Sequence, residues 1–155
     1  MRSLVQFGSL FSAGLLVAVL SAASVGSPAE YLGGTLASLV PHTSGRLDTR
    51  DPQSFVFQTH KTLLRIPYAR INQIEYGQRV SRRIFEAILI SPLFLVAKRR
   101  AHYLTVGFEN EDGQQQALVF RVDKDAIRPV LVSLEARTGV KVLYQDEEAR
   151  KAGKG

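Results

Sequence analysis

Three histidines, His42, His60 and His102, are the side chains in this chain best suited to acid–base or metal chemistry, and no cysteine accompanies them. Metal sites on one element need ligands at short spacings such as HxxxH or HxH, and no pair of these histidines stands at either. His42 and His60 fall in turn-forming stretches and His102 opens an alternating one, so surface or structural roles are expected for all three. Asp48 and Asp51, and separately Glu109, Glu111 and Asp112, gather near turns without the ligand spacing of a calcium loop. Ser54 and Ser133 lack a surrounding glycine elbow, and Gly33-Gly34 is an isolated pair rather than a phosphate-cradling loop. The absence of cysteine excludes disulfides, thiol nucleophiles and Cys-ligated metals. No catalytic, cofactor-binding or metal-binding residue emerges, and a non-enzymatic protein is expected.

What does stand out is a basic–apolar–basic segment, residues 79–100. Arg79, Arg82 and Arg83 precede an apolar run, Ile84 to Ala97, and Lys98, Arg99 and Arg100 follow it. Glu86, Ser91 and Pro92 interrupt the run. It is too short to span a bilayer as a helix, which needs about 20 apolar residues. Three readings are open. The run folds back over the domain as core, with its cations as a solvated rim. Or it lies on a membrane surface, where each exposed cation contributes about 1 kcal/mol against anionic lipid. Or it docks onto a partner protein or a second copy, the cations forming a polar rim. Under the second and third readings the contact residues are Arg79, Arg82, Arg83, Ile88, Phe94, Lys98, Arg99 and Arg100.

The chain of 155 residues suits one compact domain, and its 45% hydrophobic and 22% charged content is ordinary for a globular protein. Residues 1–29 read as a secretory leader: Arg2, then an apolar stretch from Leu10 to Leu20, then small residues through Ala29. Small residues at the −3 and −1 positions allow cleavage after Ala23 or after Ala29; Ala29 is preferred here, and an uncleaved anchor is the alternative. No Cys follows the apolar stretch, so a lipoprotein anchor is excluded. The domain is then expected over 30–145, with 146–155 a charged flexible tail. Residues 1–29 hold a single charge, Arg2, so the remainder carries 19 bases and 14 acids, net +5. Segment 79–100 holds six bases and one acid, the same net +5. The rest of the surface balances, and no nucleic-acid partner is expected, since such binders spread basic residues over a face.

The elements are mostly short strands. Alternation predicts strands over 35–40, 45–49, 54–59, 62–68 and 69–78, the last bulged near Asn72-Gln73. HYLTVGFE (102–109) puts Leu104, Val106 and Phe108 on one face, and QQALVFRV (115–122) does the same with Leu118, Phe120 and Val122. Asp112-Gly113 joins these two as a hairpin turn. Ile127, Val130, Leu131 and Leu134 then follow a helical stripe. Asp123 or Asp125 is its expected N-cap, Pro129 should fall in or near its first turn, and Gly139 should end it. VKVLY (140–144) is a candidate last strand.

The class expected is therefore mainly β: a small, partly open barrel of about seven short strands closed by one C-terminal helix, with an apolar insertion at 84–97. This arrangement resembles the pleckstrin-homology superfold, including its GRAM-like relatives. At motif level the chain also resembles a group of exported, uncharacterised bacterial proteins. That likeness is carried by Ile66-Pro67-Tyr68-Ala69 with Ile71, Tyr76-Gly77, Lys98-Arg99-Arg100 with His102-Tyr103-Leu104-Thr105-Val106, Asp112-Gly113, and Leu134-Glu135-Ala136-Arg137-Thr138-Gly139, across about residues 33–145. The resemblance implies a fold and an export route more than an activity. Phosphoinositide-binding members of the superfold use basic residues around the first hairpin; here that hairpin offers only His42 and Arg46, and departs from the pattern. The expected function is an exported, periplasmic or extracellular binding module without a cofactor. Its partner is a protein or assembly of the cell envelope, or a second copy; the alternative is peripheral binding to anionic envelope lipid through 79–100.

Overall fold

The structure, a computed structural model, describes residues 26–78, 101–145 and 147–154. Most of the predicted leader and all of segment 79–100 lie outside these residues. The described residues form one mainly β unit: β1 (Ser27–Gly34), β2 (Thr43–Asp48), β3 (Ser54–Gln58), β4 (Leu63–Pro67), a 3-10 turn (Tyr68–Arg70), β5 (Ile71–Gly77), β6 (His102–Glu109), β7 (Gln115–Val122), α1 (Lys124–Thr138), β8 (Val142–Tyr144) and α2 (Glu147–Lys154). The strands make a single sheet in the order β4-β3-β2-β1-β7-β6-β5-β8. Every neighbouring pair is antiparallel except β5 with β8, which run parallel. The sheet is mixed and open, with β4 and β8 as its edges.

The alternation along each strand decides which face becomes core. Tyr31, Leu47, Phe55, Phe57, Ile74, Tyr76, Leu104, Val106, Leu118 and Phe120 are buried in one continuous cluster. Phe120 on β7 meets Phe57 on β3 with ring centroids 5.0 Å apart, and Phe55 at 6.0 Å. Three strand steps separate β3 from β7, which in a flat sheet would place them about 14 Å apart. The sheet therefore curls around its apolar face, as twisted antiparallel sheets do. Helix α1 fills the concavity with the predicted stripe Ile127, Val130, Leu131 and Leu134, all buried.

Most strands fall where alternation puts them, and the bulge near Asn72-Gln73 appears as a register shift between Ile71 and Gln73. The first strand does not. It runs over Ser27–Gly34 rather than 35–40, because residues 35–42 are taken up by the turn into β2. Thr35 closes that turn by accepting a hydrogen bond from the Ala117 backbone N–H, and Leu39 still reaches the core. His42 holds a positive φ of 63° there, in a region histidine tolerates better than branched residues do.

At the C-terminal end the expectations for α1 hold in outline, and that for the tail changes. Asp123 is the N-cap of α1 but makes no side-chain cap bond; its carbonyl accepts from Ala126 and Ile127. Pro129 is the sixth residue of α1, just beyond its first turn, and the carbonyl that its missing N–H leaves behind belongs to exposed Asp125, which water can reach. Gly139 ends the helix as predicted, with φ 72° and its N–H donated to Glu135. Residues 147–154, expected as a flexible tail, are instead the helix α2, and Ala149 is fully buried. Contact with the core, rather than helix propensity, explains that order: Gly153 sits against the Tyr144 ring so closely that an added Cβ would lie 2.4 Å from it.

Candidate functional site

The contact residues expected from the sequence, Arg79, Arg82, Arg83, Ile88, Phe94, Lys98, Arg99 and Arg100, all lie outside the described residues. The structure does describe the two points from which that segment departs. β5 and β6 pair through Tyr76↔Leu104 and Gly77↔Tyr103. Gln78 and Ala101 therefore continue from the adjacent ends of two hydrogen-bonded strands, about 5 Å apart in the ladder direction. The segment is an insertion in the β5–β6 hairpin.

A polar cluster sits at this root. The Tyr76 phenol and His102 Nδ1 are 2.5 Å apart, their rings are nearly parallel at 3° with centroids at 5.9 Å, and Tyr144 meets Tyr76 edge-on with centroids at 6.1 Å. Tyr76 is fully buried, whereas His102 is half-buried. Burial, and then the charge of Lys124, push the His102 pKa down. A neutral imidazole fits the contact, since its unprotonated nitrogen accepts the phenol proton. One step along β5, the carboxylate of Glu75 accepts a hydrogen bond from Gln145 at 3.0 Å. Alternation in the sequence puts Tyr76 on a strand face and His102 at a strand start. Only the β5–β6 register brings the two together, and no local spacing signals it.

The sheet face opposite the core carries a second group. Val119 on β7, Thr105 on β6 and Glu75 on β5 stand in register, with Leu32 beside them at the β1 bulge and Tyr103 one position along. All five are buried, Val119 completely, although none belongs to the core cluster. At one margin of this row Glu30 bridges two partners: it pairs with Arg121 and accepts from His42 Nδ1 at 3.0 Å.

Asp48 and Asp51 are engaged in local structure. Asp48 accepts from the Arg50 backbone and guanidinium; burial pushes its carboxyl up, but the Arg50 bonds outweigh this and hold it below the usual range. Asp51 accepts from the backbone of Gln53 and Ser54 and from Arg65 at 2.5 Å, which holds its carboxyl low as well. His60 is exposed in the β3–β4 turn. Among the described residues no three His, Asp or Glu side chains stand close enough to hold a metal ion, and no helix is long and apolar enough to cross a membrane. No protein-family model matches the chain, and no curated protein matches it significantly.

Proposed function

We propose that this protein is an exported, non-enzymatic binding module of the pleckstrin-homology type, which recognises a protein or assembly of the cell envelope through the insertion 79–100. Seven antiparallel strands followed by a helix that buries its apolar stripe against them support the pleckstrin-homology reading. The observation that carries the binding role is the pairing of Gly77 with Tyr103. It makes one hairpin root the point where the chain enters the stretch that opens with Arg79, Arg82 and Arg83 and leaves the stretch that closes with Lys98, Arg99 and Arg100. The entire positive excess of the chain beyond its leader thus issues from one end of a sheet whose remaining charges balance. Charge concentrated in this way steers encounter with an acidic surface.

The test places a photo-crosslinking residue at Arg83 or Arg99 in the full chain, with exposed Val132 on α1 as the control position. A discrete protein adduct at the insertion positions and not at Val132, lost when Arg82, Arg83, Arg99 and Arg100 become Ser, is the expected result. Equal adducts at all three positions, or none at the insertion, overturn the proposal. The six cations favour one second reading, peripheral attachment to anionic lipid. It requires vesicle binding that disappears with the same substitutions and in about 0.5 M salt, where screening acts within a few ångströms.

A further inference from the structure

The start of β1 bears on where the leader is removed. Two cleavage positions satisfy the small-residue requirement, after Ala23 and after Ala29. Sequence alone leans to Ala29, because a strand pattern follows it. The structure assigns Ser27–Ala29 to the fold itself. Ser27 pairs with Leu47, Pro28 with Arg46, and Ala29 with both Gly45 on β2 and Val122 on β7. β1 is the one strand through which β2 and β7 are joined in the sheet order. A cut after Ala29 would strip β2 of three partners in the middle of the sheet and uncover Leu47 and Val122, which are buried. It would also place a new α-ammonium on Glu30, a paired position between β2 and β7. A charge and orphaned backbone groups within a sheet are costly.

Gly26 extends the same point one residue upstream. It enters the sheet at φ 117°, a conformation that side-chain-bearing residues rarely adopt, and a Cβ there would lie 2.7 Å from the Leu47 carbonyl oxygen. The folded domain is thus specified from Gly26 onward, not from Glu30. A cut after Ala23 leaves Ser24, Val25 and Gly26 as a lead-in, with the new ammonium clear of the first paired residue.

We infer that the leader is cleaved after Ala23, so that the exported protein begins at Ser24 with β1 complete. This rests on the reading of the N-terminal stretch as an export leader, and the experiment separates the two. The full chain is produced in a bacterial host with a working export pathway, and the N-terminal residue of the exported protein is determined by intact mass and N-terminal sequencing. A mature chain starting at Ser24 is expected. Ala29→Val should leave that start unchanged, while Ala23→Val, which places a branched residue at −1, should accumulate uncut precursor. A mature chain starting at Glu30, with processing blocked by Ala29→Val and not by Ala23→Val, overturns the inference and leaves export standing. Uncut wild-type chain in the cytoplasm overturns both, and uncut chain held in the membrane overturns the cleavage and replaces the leader with an anchor.

Discussion

The contact between Phe57 and Phe120 offers the sharpest test of the curled sheet. The two rings come from strands three steps apart and lie 5.0 Å centroid to centroid at an interplanar angle of 55°. Tilted aromatic pairs of this kind contribute about 0.5–1.5 kcal/mol beyond the area they bury. Phe57→Leu and Phe120→Leu, chosen to keep apolar volume, should each cost about 1.5 kcal/mol or less. A domain of this size has a total stability of about 5–15 kcal/mol, so the double variant should remain folded. Because each single change already forfeits the ring pair, the double variant should cost less than the sum of the singles by about 1 kcal/mol. The chain has no tryptophan, so urea unfolding is best followed by far-ultraviolet circular dichroism. Additivity within about 0.3 kcal/mol, with unchanged denaturant slopes, would mean that β3 and β7 do not meet across the core. The curl, and the concavity that α1 fills, would then be refuted.

Other outcomes follow from the same geometry. Gly45→Ala should destabilise by about 1–3 kcal/mol, measured by denaturant midpoint, because its Cβ would fall 2.5 Å from the Gln58 carbonyl and 2.7 Å from the Phe57 ring. Gly139→Ala meets nothing within 4 Å, so its cost of about 1–2 kcal/mol should be purely conformational, with Gly139→Asn milder. The folded pKa of His102 is depressed below its unfolded value, so between the two the unfolded state binds more protons. Stability attached to His102 is then complete above about pH 6.5 and falls as pH drops below it, a slope that His102→Gln should remove from thermal-melt profiles. Asp48 and Asp51, also depressed, should add a separate loss at lower pH, below about pH 3.9, that survives His102→Gln.

Several parts of this fold were legible in the sequence because the information is local. Period-two alternation marks β6 and β7 and assigns Leu104, Val106, Leu118 and Phe120 to one face, since successive strand side chains must point to opposite sides. Asp112-Gly113 and Gly139 mark a turn and a helix end because both need positive φ, which glycine supplies without a Cβ clash. The strand expected over 35–40 falls elsewhere for the converse reason. Thr35, Ala37 and Leu39 alternate with Leu36, Ser38 and Val40, but β1 is held over Ser27–Gly34 by partners on β2 and β7 that are distant in sequence. The order in α2 depends likewise on Tyr144 and the core beneath Ala149, which no window over its charged residues contains.

Sequence alone establishes the mainly β class of the protein, the faces of its strands and helix, and the concentration of five of its six net positive charges in residues 79–100. Each of these depends on residue type and near-neighbour spacing alone. Tertiary structure decided what long-range pairing controls. It showed that β1 reaches back to Ser27 and joins the two flanks of the sheet, and that Phe57 and Phe120 meet across its curl. It brought Tyr76 to His102 at the root of the charged insertion. Those contacts join residues 12 to 93 positions apart, and the strand register that creates them is set by the burial of the whole apolar face, not by any single stretch of chain.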